Sequence, residues 1–372
     1  LLIQIGGLGF MSVAAIASFV LRRTITLHER MVMSAGLNLS DGGGIVRLTR
    51  RVLFGTFIIE GTGAVLLSCR FVPHYGFPKG ITMGVFHAVS AFCNAGFDLM
   101  GTPDDPFQSL IGWAEDPLVN ITVMALIVLG GLGFFVWSDV WDKHSFCRLR
   151  LHTKIVLTAT AGLLLFGFGW TLLFEWSNPA TLGAFDTPHK LLAAAFESVT
   201  LRTAGFNTID LGALTGPSQA VSCLLMFIGG SPGSTAGGIK TVTAAVLVLT
   251  AISAFCGRTT VSAFGRTIAP RSIMNAVTLL MAGGVLCLVG ACAIAGIEDA
   301  PFHQCLFEAV SAFGTVGVSM GLTPTLSAAS RVILIVMMYM GRVGVLTLGV
   351  AVFMRRREPP RLKYPDADVF IG

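Results

Sequence analysis

Hydrophobic residues in this chain come in long blocks separated by short polar stretches. The blocks are too long and too uniformly apolar to be the faces of soluble helices or strands. Runs near 1–21, 52–72, 118–141, 154–176, 217–256, 272–296 and 326–354 predict membrane helices, because about 20 residues rising 1.5 Å each cross a hydrocarbon core. Shorter runs lie near 81–92, 189–200 and 302–313. These cannot cross, and they predict re-entrant helices that enter the bilayer and turn back. The expected fold is an all-α polytopic membrane protein.

The short runs repeat. "FHAVSAFCNAGFDL" (86–99), "FESVTLRTAGFNTIDL" (196–211) and "FEAVSAFGTVGVSMGL" (307–322) line up without strain, and their shared glycines Gly96, Gly205 and Gly317 are 109 and 112 residues apart. Each is followed by a glycine-bearing inner helix: "GGLGF" at 130–134, "GGSPG" at 229–233 and "GRVGV" at 341–345. "GGLGF" recurs at 6–10, so the chain reads as three full units and the end of another, whose glycine is expected upstream of Leu1. The organisation is then 1–47, inner helix of the first unit with its loop; 48–150, second unit; 151–270, third unit; and 271–372, fourth unit and tail.

Charge and composition sharpen this picture. Only 12% of residues are charged and 53% are hydrophobic, against roughly 25% charged in soluble domains. The net charge of +5 is no nucleic-acid signal, because the basic residues gather in alternate loops. Arg22, Arg23, Arg30, Arg47, Arg50 and Arg51 share one loop; Lys143, Arg148, Arg150 and Lys154 a second; Arg258, Arg266 and Arg271 a third. Arg355, Arg356, Arg357, Arg361 and Lys363 lie in the tail, while the intervening loops carry Asp104, Asp105, Glu115, Asp116, Glu175, Asp186, Glu298 and Asp299. Basic loops and tail are expected in the cytoplasm. The eight cysteines show neither a C-x-x-C pair nor zinc spacing, and are expected to pack as small hydrophobes.

Four units of helix, re-entrant helix, glycine turn and helix would aim backbone carbonyls at one axis. Such carbonyls can replace a cation's water shell, and the C-terminal ends of the re-entrant helices add partial negative charge. Glycine suits the turn because it takes positive φ freely. "VTLRTAGFNT", "SAFCNAGFDLMG", "GGSPGSTAGGIKT" and "MGRVGVLTL" resemble the Trk/Ktr/HKT superfamily of potassium transporters, and the ending "KYPDADVFIG" is most similar to its bacterial Ktr-type membrane subunit. The resemblance implies a pseudo-tetrameric pore in a bacterial plasma membrane, a homodimer in the lipid bilayer, and a cytosolic nucleotide-binding regulatory ring. It implies no covalent cofactor and potassium as the substrate. The filter it implies is Cys93, Asn94, Ala95, Gly96 and Phe97; Arg202, Thr203, Ala204, Gly205 and Phe206; and Gly314, Thr315, Val316, Gly317 and Val318. Serine in place of the first filter glycine marks sodium-permeable relatives, so sodium stays open, although the three visible glycines favour potassium.

The run 217–256 is twice the length a bilayer needs, and a polar stretch interrupts it: Gly229, Gly230, Ser231, Pro232, Gly233, Ser234, Thr235, Ala236, Gly237 and Gly238, followed by Lys240. The stretch approaches a phosphate-binding G-x-x-x-x-G-K-T, but Ile239 separates glycine from lysine and no strand precedes it, so no nucleotide site is expected. It resembles the superfamily's intramembrane gate loop; the plain alternative is a static kink. Only this helix reads as clearly broken. Arg342 is expected deep in its helix, some twelve residues from either end, as an electrostatic barrier or an anchor for the loop. Glu197 and Glu308 recur in two re-entrant helices, with Ala88 and His87 in the equivalent stretch of the other. They are expected to brace the filter from behind, with Arg202 a candidate partner for one of them and Glu60 in a structural hydrogen bond. No catalytic constellation is present, so an enzyme is not expected. A solute symporter would need inverted repeats, whereas these run in parallel.

Overall fold

The computed structural model describes residues 2–8, 45–103 and 107–344. Its helices are α1 (Leu2–Leu8), α2 (Ile45–Tyr75), α3 (Phe77–Phe92), α4 (Pro117–Leu132), α5 (Phe134–Lys143), α6 (Leu151–Glu175), α7 (Thr187–Thr200), α8 (Gly216–Phe227), α9 (Thr241–Phe255), α10 (Pro270–Glu298), α11 (Phe302–Gly314) and α12 (Ala328–Val343). One small hairpin pairs Ser262 with Thr267. The stretches 9–21 and 345–354 of the predicted first and last spans lie outside the described residues.

Helices α2, α6 and α10 are long and apolar enough to cross a membrane. Leu165, Leu173, Met281 and Val289 on these helices are at least 60% exposed, a surface that suits lipid rather than water. The short helices α3, α7 and α11 are the opposite. Pro78 and Pro188 open α3 and α7 in the first turn, where proline's missing N–H costs nothing. They carry some of the most enclosed side chains among the described residues, with Phe92, Phe196 and Phe307 fully buried. Each short helix packs on the long helix before it and on the inner helix of the preceding unit: α3 on α1, α7 on α4, α11 on α8. The turns that follow α3, α7 and α11 come next to one another.

The inner helices cross the ends of the re-entrant helices at glycine. A Cβ on Gly130 would stand 1.9 Å from the Phe92 carbonyl oxygen, and one on Gly341 would stand 1.9 Å from that of Phe313. No side chain fits at either crossing.

Three expectations need correction. The run 118–141 is not one continuous helix, for α4 and α5 bend by 91° at Gly133, whose φ is 94°. Backbone from the glycine-rich stretch causes the break: Thr235 N and Ser231 N donate to the Gly130 and Gly131 carbonyls, and Phe134 N donates to Gly233 O. The helix loses its own ladder bonds but leaves few groups unpaired. So a second helix is broken besides 217–256, which is split into α8 and α9 as read. Arg342 is not central in a helix either: α12 is described only to Val343, with Gly344 capping it at φ 92°. A cation in a last turn complements the helix dipole. Finally, the repeats do not align without strain. Phe86 to Gly96 and Phe307 to Gly317 are ten positions apart, but Phe196 to Gly205 is nine. The shorter unit closes its turn tighter, with Ala204 N on Thr200 O four residues back, where Ala95 N and Val316 N reach Ser90 O and Ser311 O five back.

Among the eight cysteines, Cys93, Cys287 and Cys305 are buried, while Cys69, Cys147, Cys256 and Cys292 are exposed, so core packing explains only some of them.

Candidate functional site

The turns that follow α3, α7 and α11 share one backbone pattern. Asn94 and Gly96, Thr203 and Gly205, and Thr315 and Gly317 all have positive φ, between 50° and 90°, with a negative-φ residue inside each pair. Such alternation lets successive peptide groups face one side. The turns meet. A Cβ on Gly96 would lie 2.6 Å from Ala204 O and 2.8 Å from Gly205 Cα; one on Gly205 would lie 2.3 Å from Val316 O. Asn94 and Thr203 side chains are 3.3 Å apart. Residues more than 100 positions apart in sequence therefore meet through their main chain.

Each turn is held from behind by a hydroxyl. Ser90, Thr200 and Ser311 donate to the carbonyls of Phe97, Phe206 and Val318, all at 2.6 Å. A helical hydroxyl usually bonds its own helix; these three reach the residue after the positive-φ glycine of the turn instead. Sequence reading passed over them, although the signal was present as Val followed by Ser or Thr at 89–90, 199–200 and 310–311.

The second brace differs between units. In the unit of α3 the equivalent residue is His87, not Ala88: its Nδ1 lies 2.7 Å from Met83 O, and its Nε2 accepts from Leu99 N at 3.3 Å. Glu308 accepts from the Ser319 hydroxyl (2.5 Å), Met320 N (3.1 Å) and the Thr323 hydroxyl (2.5 Å). Glu197 is buried, yet neither of its oxygens has a partner. Nor does Arg202 pair with a glutamate; its guanidinium lies 3.5 Å from Gly229 O. Glu60 accepts from Gln4 on α1, and the Cys93 thiol lies 3.8 Å from it.

The stretch 228–240 lies against the inner ends of these turns. A Cβ on Gly229 would stand 3.0 Å from the Thr203 methyl, and one on Gly237 would stand 2.0 Å from the Thr315 hydroxyl. The Thr235 hydroxyl donates to Phe92 O at 3.1 Å. Ser231 and Thr241 hydroxyls, 2.8 Å apart, tie the ends of the stretch, as do Ile239 N on Phe227 O and Thr241 N on Gly230 O. Two cations hold its carbonyls: Lys240 donates to Ala236 O at 2.7 Å, and Arg342 donates to Thr235 O and, at 2.7 Å, to Gly6 O. The remaining loop residues Gly230, Pro232, Gly233, Ser234 and Gly238 complete the same turn-rich segment. The arrangement can do two things chemically: strip water from a cation with carbonyls, and set a hydrogen-bonded stretch of backbone against the inner ends of the turns.

Comparison with known proteins agrees with that chemistry. Residues 1–358 match the family model described as TrkH, cation transport protein. The chain is 40% identical over 371 residues to the Ktr system potassium uptake protein B of Bacillus subtilis (strain 168), covering 100% of this chain and 82% of that one. It is 39% identical over 376 residues to the potassium/sodium uptake protein NtpJ of Enterococcus hirae, again covering 100% and 82%. The solved structure of the potassium transporter TrkH from Vibrio parahaemolyticus shares the fold, with a TM-score of 0.71 at 16% identity over 95% of this chain and 71% of that one. These relatives are membrane transporters, not enzymes. The chain belongs to the TrkH family of cation transport proteins.

Proposed function

We propose that this protein takes up potassium across a bacterial plasma membrane through a filter whose described sides are Cys93–Phe97, Arg202–Phe206 and Gly314–Val318. The observation that carries this reading is the contact of Gly96 with Gly205 and of Gly205 with Val316, which brings carbonyl-bearing turns from three units to one place. Carbonyl oxygens at that spacing compensate a potassium ion for its lost hydration. The hydroxyl braces on Phe97, Phe206 and Val318 resist collapse of the ring.

The segment Gly229–Gly238 is the gate. It is rich in glycine, so its backbone can absorb large torsion changes, and Arg342 and Lys240 hold two of its carbonyls. Arg342 also places positive charge below a cation path, which raises the barrier while the gate is closed. The basic loops face the cytoplasm, the protein works as a homodimer, and a nucleotide-binding ring docks on the cytoplasmic side. The four units have the boundaries 1–47, 48–150, 151–270 and 271–372. Sodium passage is the second reading, favoured by the printed name of the Enterococcus relative.

Expression of the full-length protein in a potassium-uptake-deficient bacterium tests the reading. Growth at low potassium with saturable rubidium uptake is expected. Membrane expression without uptake of either potassium or sodium would remove it.

A further inference from the structure

His87, Glu197 and Glu308 hold the same place in the three re-entrant helices. Two of them bond the backbone N–H three residues past their filter glycine: His87 to Leu99, Glu308 to Met320. The third counterpart is Thr208. There, both Glu197 oxygens and the Thr208 hydroxyl lack any partner among the described residues, although each residue is only 1% exposed. The neighbouring brace from Thr200 to Phe206 is intact, so the helix and turn are in their usual relation. Glu197 and Thr208 stand three residues before and two residues after that brace, the same offsets as His87 and Leu99 and as Glu308 and Met320 from theirs. The direct bond made in the other two is absent here.

Buried polar atoms without partners are costly, and proteins relieve them with ordered water that makes about three hydrogen bonds. The geometry points to a buried water site between Glu197 and Thr208, through which Glu197 acts as a positioning residue for the third filter turn. The water donates to the carboxyl oxygens and accepts from the Thr208 hydroxyl. Units two and four make the equivalent contact directly. The third turn is therefore the side of the filter supported through solvent, and the one whose support can be lost without breaking a helix. This inference rests on the filter reading above.

The test measures uptake by the full-length protein against potassium concentration in uptake-deficient cells. Glu197→Ala and Thr208→Val are each expected to raise the half-saturating concentration roughly fivefold, with the maximal rate per membrane-inserted protein unchanged. The double variant should shift it no further, because either change removes the same bridge. Glu197→Gln, which keeps the shape and a water partner, should restore it to within about twofold of the parent. Unchanged half-saturation, or additive shifts, overturns the bridge. Should Glu197→Ala not reach the membrane, Thr208→Val and Glu197→Gln decide together with a high-resolution cryo-EM map. The map should hold a solvent peak about 2.8 Å from both side chains; a direct bond, an empty gap or a peak that exchanges with the salt's cation overturns the site. Failure of the parent protein to transport would count against the filter, whereas parent-like variants beside a working parent count only against the water.

Discussion

The re-entrant segments Phe196–Phe206 and Phe307–Val318 begin with nearly the same residues, "FESVT" and "FEAVS", yet differ in almost everything that follows. The later segment has ten positions between phenylalanine and glycine, a glutamate with three donors, and Gly314 seated where a Cβ would lie 2.5 Å from Met226 O. The earlier one is a residue shorter, leaves its glutamate unpaired, puts Arg202 at the place of Gly314, and runs into the interrupted stretch 228–240. What both keep is the hydroxyl brace and the positive-φ pair. The features that bring the turns together are repeated, while the irregular ones gather in the earlier segment.

Substitutions can break or sharpen this contrast. The largest effect is expected at the shared part: Gly205→Ala, forced to φ 90° with a Cβ 2.3 Å from Val316 O, should cut potassium uptake roughly 100-fold by displacing the turns. Near-normal uptake would mean that the meeting of the turns does not matter. Next, Arg342→Ala removes the bonds to Thr235 O and Gly6 O, and rubidium flux in proteoliposomes should rise about five- to tenfold as the gate population shifts. Shortening Gly233–Gly238 to a rigid link should act in the same direction. A lower flux at equal reconstitution would count against a gate.

Stability separates the two glutamates. Glu308→Ala strands three donors and should cost about 3 kcal/mol in detergent unfolding, whereas Glu197→Ala strands no protein donor and should cost under about 1 kcal/mol. Equal losses would erase the distinction between the units. The smallest effect tests what they share: Ser311→Ala and Thr200→Val each lose one bond to a filter carbonyl, and each should raise the half-saturating potassium concentration about threefold. A large difference between these two would show that even the hydroxyl braces are not equivalent.

Much of this was legible beforehand. The short helices over 81–92, 189–200 and 302–313 emerged as α3, α7 and α11 because their length and apolar content leave few alternatives in a bilayer. The interruption of 217–256 was legible because five glycines and a proline cannot continue a helix. The bend at Gly133 was not. "GGLGFF" reads as a tolerable membrane-helix sequence, and what breaks it is backbone from residues 231–235, a hundred positions away. The place of Arg342 is hidden for a similar reason, since hydropathy continues past the point where α12 is capped at Gly344.

The sequence by itself determined the class of protein, the order of its helices and the recurrence of the glycine turns. Apolar block length and repeat spacing are properties of the chain read in one dimension, and the bilayer imposes them directly. Only the tertiary structure decided that the turns touch, which of two matching glutamates has donors, and which helix yields its ladder bonds to the loop. Those outcomes depend on hydrogen bonds and close contacts that exist only once the chain has folded.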